Sequence, residues 1–391
     1  MAFNLRKKYS NNKEVSKKNR SYKDLNFCQP TLKNIMIKSL YKLKLSFLII
    51  IAITCNTYGQ ENIKNFPDSV WQEHDSIEKI GYDSQKISEL RRYVIDSLNT
   101  TGLFIVVDGK RLFEFGDVEE LSYIASCRKS LLSMMLGKYV ENGTIDLDMT
   151  LEELEFDDIQ GLLPIERQAT IKNLITARSG VYHPASNDGD NSAHAPPRGS
   201  VTPGEYFLYN NWDFNAAGEI FEQLTKKNIY ETFKQDIAVP IKMQDFEIDK
   251  QQKIGDTSKS KYLAYHFWIS TRDMARVGLL MLNDGNWNGD RLIPADWVRL
   301  TTSTITPTSE FNPEFQREWN LAFGYMWWVW KDDNEIFNGS FYAAGARGQF
   351  LLIIPKLNMV ISHKTKYAYR RRVQFLEFKD LVYKIIETRI K

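Results

Sequence analysis

The strand-forming runs of this chain sit near its two ends, and a long stretch of helical character separates them. That order constrains the fold more than any other feature: the two sets must either form separate sheets or meet across everything between them. Near the front, Leu103-Phe104-Ile105-Val106-Val107 is a short apolar strand, Asp108-Gly109 is a hairpin signal, and 111–115 alternates as a second strand. Near the end, 323–330, 349–354 and 359–362 read as three more, the last two joined at Pro355. Between them, 127–141, 213–226 and 271–283 carry apolar residues at helical spacing. Helices are also expected over 84–98 and 372–389. Asn142-Gly143 stops one helix, and Asn288-Gly289 marks a tight turn. The pattern predicts an α/β (α+β) fold in which a mixed sheet flanks a helical insertion over about 145–300.

Charge is divided unevenly. Residues 1–44 hold twelve Lys or Arg against Glu14 and Asp24, a net +10, and 45–59 hold none. The rest, 60–391, carries 39 basic and 47 acidic residues, a net −8. A net acidic domain is a poor partner for nucleic acid, and none is expected. Within the leader, Lys38, Lys42 and Lys44 precede the apolar run 45–53, and small residues follow up to Gln60. Basic flank, short apolar core and small residues are the pattern of a secretory signal. The expected organisation is an upstream extension over 1–35 that is not part of the gene product, a signal peptide over 36–59 starting at Met36, an arm over 60–83 and a catalytic domain over 84–391. Export to a bacterial periplasm or medium follows. Membrane contact would come only from the uncleaved signal or from a lipid on Cys55. Of three cysteines, only Cys127 survives cleavage at Gln60, so the mature chain has no intrachain disulfide and rests on its core.

The segment with chemical promise is Ser126-Cys127-Arg128-Lys129. A serine hydroxyl is a weak nucleophile that needs a base. If Ser126 opens the helix, Lys129 lies one turn on along the same face. Burial and positive potential would lower the lysine pKa enough for it to serve. The spacing alone says little, since Ser10/Lys13, Ser39/Lys42, Ser76/Lys79 and Ser258/Lys261 share it. Ser126 differs in having two strands before it and a long helix after it. A second element is Tyr209-Asn210-Asn211, where a phenol beside a cation shifts toward phenolate and shuttles protons, and Asn211 holds the lysine or a substrate amide. A third is 343–349, where Ala343, Ala344 and Gly345 let a substrate lie along a strand edge. A backbone N–H there, paired with that of Ser126, would form an oxyanion hole. The loop 179–204 is long for a compact domain, which marks it as functional or disordered. Tyr182 and His183 within it are candidate pocket residues. Trp327, Trp328 and Trp330 offer an aromatic wall, although alternate strand residues face opposite ways.

Taken together and in this order, these segments resemble the serine β-lactamase and penicillin-binding-protein superfamily, and within it the class C β-lactamase-related hydrolases, on the esterase and 6-aminohexanoate-dimer hydrolase side. The resemblance spans roughly 85–390. It takes in 124–130, 143–148, 174–181, 203–211, 270–278 and the strand at Gly348-Gln349. It implies a β-lactamase/transpeptidase-like fold, an antiparallel sheet flanked by helices plus a mostly helical domain, with Ser126 as nucleophile, Lys129 as base, Tyr209 as general acid/base, Asn211 closing a Tyr-x-Asn box and Ala346 completing the oxyanion hole beside Gly345. Many relatives carry Lys or His at the position of Ala343, where the cation holds a β-lactam carboxylate. Alanine cannot, unless Arg347 reaches back. The expected substrate is therefore a small or peptide-like ester or amide, with no cofactor and no metal. The rivals are a D-Ala-D-Ala carboxypeptidase or β-lactamase, and a catalytically silent peptide- or peptidoglycan-binding homologue. No Gly-x-Ser-x-Gly elbow precedes a plausible histidine, and the five histidines show no metal-binding spacing.

Overall fold

The computed structural model describes residues 65–390. The expectations for the extension, the signal peptide and Cys55 lie outside those residues. Five long helices are found where apolar spacing placed them: α1 Ser84–Ser97, α2 Cys127–Glu141, α3 Asn211–Thr225, α4 Thr271–Leu282 and α5 Phe375–Glu387. Asp83, Asn210 and Ser270 cap α1, α3 and α4 with side-chain oxygens that accept backbone N–H groups of the first turn. Among the described residues no helix is long and apolar enough to cross a membrane.

The two sets of strands meet in one sheet. Its members are β1 Gly102–Val107, β2 Lys110–Gly116, β3 Leu321–Phe323, β4 Trp328–Trp330, β5 Phe341–Gly345, β6 Gln349–Ile354 and β7 Met359–Lys364. The order is β2-β1-β7-β6-β5-β4-β3, and every neighbouring pair is antiparallel. The junction of front and back is β1 with β7, where Ile105 faces Ile361. Helices cover both faces, so β1, β6 and β7 are buried along their whole length; β1 and β6 accordingly read as almost continuous apolar runs, while β7 ends in the buried polar residues Ser362, His363 and Lys364. Period-two alternation still decides which layer each side chain meets. Phe350 stacks on Phe378 of α5, with ring centroids 4.2 Å apart. Its neighbour Leu351 points to α4 on the opposite face. There Gly278 permits contact: a Cβ would fall 2.4 Å from Val360 Cγ1 and 2.9 Å from Leu351 Cδ1.

Two sequence expectations are corrected. The sheet is antiparallel throughout, not mixed, and residues 323–330 are not one strand. The chain reverses at Gly324, whose N–H donates to Trp327 O at 2.8 Å, with Met326 at φ +60°. A side chain at 324 would meet Thr301 O at 2.1 Å. The reversal buries Trp327 and Trp330 but leaves Trp328 half-buried. The strand β5 adds a further strand to the three expected near the end, and it contains Ala343, Ala344 and Gly345, the small residues expected along a strand edge. The described part of the arm is docked on the sheet: Trp71 packs 5.2 Å from Phe104, and Arg276 of α4 lies over Trp71 and donates to Asp68 O at 2.9 Å.

Candidate active site

Backbone geometry sets Ser126 at the start of α2. Ser122–Tyr123 forms a short antiparallel bridge with Trp268–Ile269. The buried Lys364 donates from Nζ to Ser122 O at 3.1 Å and to Ile269 O, tying the bridge to the end of β7. Ala125 then turns the chain at φ +50°, a conformation unusual for a residue with a Cβ. Ser126 follows as the first helical cap, and Lys129 stands one turn further in. From the other side, Asn210 caps α3 by accepting from Asp213 N at 2.9 Å. This places Tyr209 and Asn211 on either side of that helix start.

The three expected polar partners converge on one amine. Lys129 Nζ is 3.1 Å from Ser126 Oγ, 2.6 Å from Tyr209 Oη and 2.7 Å from Asn211 Oδ1. Asn211 is itself fixed, donating from Nδ2 to Asp188 O at 3.0 Å and from its backbone N–H to Asp190 Oδ2 at 2.6 Å. Lys129 is only 2 % exposed. Burial, then the charge of Arg128, holds its pKa well below the ordinary lysine value, against a weaker pull from Asp190. Burial also raises the Tyr209 phenol, opposed by its hydrogen bond with Ser126 and by Arg128. The expected drift of Tyr209 toward phenolate is thus corrected: desolvation outweighs the neighbouring cation. Burial thus favours the uncharged form of both the Lys129 amine and the Tyr209 phenol. An uncharged amine has two N–H groups and one lone pair. Asn211 Oδ1 and Tyr209 Oη can accept the first two, which leaves the lone pair for the Ser126 hydroxyl.

Ser126 and Tyr209 open into a cleft of about 420 Å³ that Gly189, Asp190, Ala344, Gly345, Ala346 and Arg347 also line. Gly345 allows β5 to abut the serine turn, since a Cβ there would lie 2.4 Å from Ile124 O. Neither the Ser126 nor the Ala346 N–H has a partner among the described residues, which suits a pair of donors for a developing oxyanion.

A family model described as Beta-lactamase matches residues 97–373. The chain belongs to the β-lactamase family. Its fold is accordingly the β-lactamase/transpeptidase-like one, and at superfamily level it is a serine hydrolase. An uncharacterized protein of Alkalihalophilus pseudofirmus is 24% identical over 263 residues, covering 61% of this chain and 71% of that one. Among solved structures, a protein of Bacillus anthracis named as a 6-aminohexanoate-dimer hydrolase matches with a TM-score of 0.60 at 22% identity, over 83% of this chain and 89% of that one. EstCE1, described as a hydrolase with promiscuous acyltransferase activity, gives 0.54 at 14% identity, over 79% and 98%. At such identities these likenesses speak for the fold.

In this β-lactamase-family chain Tyr182 and His183 are not pocket residues. His183 is buried, and its two ring nitrogens lie 3.0 Å from Pro184 O and 2.7 Å from Ile159 O, so it fastens the loop. Tyr182 is half-buried with its hydroxyl covered and does not line the cleft, which Gly189 to Asn191 of the same 179–204 loop do. Ala343 is buried opposite Leu351 and is not a lining residue. Arg347 does line the cleft, but its guanidinium lies 4.1 Å over the Tyr367 ring. Sequence reasoning missed Arg128, whose Nη2 donates to Asn215 Oδ1 at 2.6 Å while the guanidinium covers Tyr265. It also missed Asp190 and Arg372 of the lining. Their only signal was position, one in the long loop and the other after the last strand. The aromatic wall is supplied by Trp328, stacked on Tyr209 at 5.6 Å.

Proposed function

We propose that this chain is an exported serine hydrolase that cleaves an ester or amide bond through an acyl-enzyme on Ser126. The observation that carries the reading is the buried Lys129 amine in contact with Ser126, Tyr209 and Asn211 together. The Ser126 proton passes to Lys129 as Oγ bonds to the carbonyl carbon, and the oxyanion is held by the Ser126 and Ala346 N–H groups. As the bond to the leaving group breaks, Tyr209 gives it a proton and is reprotonated by the Lys129 ammonium. Water then attacks the acyl carbon, passes its proton back through the same pair, and Ser126 leaves with it. Export rests on the basic, apolar and small-residue order of 36–59.

The role of Tyr209 gives a direct test. Tyr209→Phe should slow hydrolysis of an alkyl ester or linear amide by about 10²–10⁴-fold. p-Nitrophenyl acetate should suffer far less, because nitrophenolate departs without a proton. Equal losses on both would remove Tyr209 from the leaving-group side.

One observation favours the carboxypeptidase or β-lactamase reading: Arg347 and Arg372 both line the cleft and could meet a substrate carboxylate. Against it, Ala343 neither lines the cleft nor supplies a cation, and the Arg347 guanidinium is already stacked on the Tyr367 ring at 4.1 Å. A charge-assisted hydrogen bond is worth about 1.5–3 kcal/mol, or roughly 10–150-fold in binding. p-Nitrophenyl acetate should therefore be turned over with a clearly higher kcat/KM than nitrocefin. Efficient nitrocefin turnover that disappears in Arg347→Ala would reverse the order and make Arg347 the substitute cation.

A further inference from the structure

A second cavity, of about 450 Å³, opens beside the serine turn and is lined by Leu121, Tyr123, Ile254, His266, Trp268 and Tyr367. Its wall is aromatic. Tyr123 meets Trp268 at 5.4 Å, Tyr367 edge-on at 5.4 Å and the His266 ring edge-on at 5.0 Å. Ile254 and Tyr367 are exposed, as residues at a mouth would be. His266 is 7 % exposed, and its Nδ1 has no hydrogen-bond partner. A buried ring nitrogen left unpaired is costly, and here it belongs to a residue that lines an open cavity. Nothing in the mechanism above uses it.

The cavity is joined to the catalytic cleft by shared parts. Tyr123 lies three residues before Ser126, and Tyr367 touches both Tyr123 and the cleft residue Arg347. The charges around it select the ligand. Lys366 also lines it but is paired with Glu120. His266 stays neutral, its pKa pushed down to about 3 by burial and by the nearby charge of Arg128. A cation would meet that positive surrounding, and a carboxylate would be desolvated with no free cation lining the cavity. Rings at edge and face distances favour another flat ring.

We propose that this cavity is a second binding site, for an uncharged aromatic group bearing an amide that hydrogen-bonds to the His266 imidazole, and that it receives the distal part of the ester or amide substrate. The last clause rests on the serine-hydrolase reading; the binding itself does not.

The test uses Ser126→Ala protein and ligand-observed NMR with phenylacetamide as the probe, hexanamide and phenylacetate being comparators. Saturable phenylacetamide binding is expected, with both comparators weaker. Trp268→Ala should weaken it about tenfold, and His266→Phe, which keeps a ring but removes the nitrogen, several-fold. Trp268 belongs to the bridge before Ser126, so Ile254→Asp at the exposed mouth serves as the variant that leaves the core alone. It should weaken phenylacetamide as well. Undetectable binding, or binding indifferent to His266→Phe and Ile254→Asp, overturns the site. In active enzyme, Ile254→Asp should lower kcat/KM for p-nitrophenyl phenylacetate and spare p-nitrophenyl acetate; equal effects would detach the cavity from the substrate. Failure of the hydrolase reading shows separately, as absent fluorophosphonate labelling of Ser126.

Discussion

Ser126→Ala is expected to abolish fluorophosphonate labelling and to lower hydrolysis of p-nitrophenyl acetate by about 10⁴–10⁶-fold, the scale seen when a serine nucleophile is removed. The fold should survive, because Ser126 makes no side-chain cap to the backbone of α2. Other serines with a lysine three residues on supply the control. Ser76 Oγ donates to Glu78 Oε2 at 2.8 Å, and Ser258 Oγ donates to Asp256 Oδ1 at 2.6 Å, both at the surface. Each hydroxyl faces a carboxylate outside the cleft, so Ser76→Ala and Ser258→Ala should change neither labelling nor rate. Retained turnover in Ser126→Ala would show that another residue attacks the carbonyl. A chain that folds normally and is never labelled or active would support the silent, ligand-binding homologue.

The contrast among these serines shows where the sequence was legible. Three residues of spacing was shared by five pairs and decided nothing. The context around Ser126, two strands ahead and a long helix behind, was readable because periodicity survives in buried elements: α2 runs over the very residues that apolar spacing assigned to it. Side chains whose roles depend on contacts across the chain were legible only where a motif named them. Asn211 was found through its box. Arg128 was not, since its effect on Lys129 comes from burial among Tyr265 and Asn215, which are distant in sequence. The sign of the Tyr209 shift failed for a related reason. A neighbouring cation can be guessed from a motif, but complete desolvation cannot. The hairpin within 321–330 was lost because Phe323 to Trp330 is apolar throughout, which hides a reversal that Gly324 makes possible. His183 was misplaced because a loop can line a cleft at one point and be buried at another, and composition does not distinguish the two.

Lys129 allows the base to be separated from a merely structural cation. Lys129→Met removes the amine and keeps an unbranched side chain, and kcat/KM for p-nitrophenyl acetate should fall by about 10²–10⁴-fold. Lys129→Arg keeps a positive charge, but a guanidinium stays protonated in proteins and has no lone pair to offer. It should be as inactive as the Met variant. If the amine only held Tyr209 and Asn211 in place, Arg would restore part of the rate. The pH profile gives the sign. The base works when unprotonated, so activity is full above the Lys129 pKa and is lost as pH falls through it. Burial and Arg128 place that pKa well below the ordinary 10.5, so the acidic limb of kcat/KM should lie well below pH 10.5 as well. Arg128→Met removes the positive neighbour, and the limb should then move to higher pH, because the ammonium form costs less. A limb that ignores Arg128→Met would mean that the titrating group is not Lys129. A profile inflecting near pH 10.5 in the wild type would mean that the amine is not desolvated as the geometry requires, and the search for the base would turn to Tyr209.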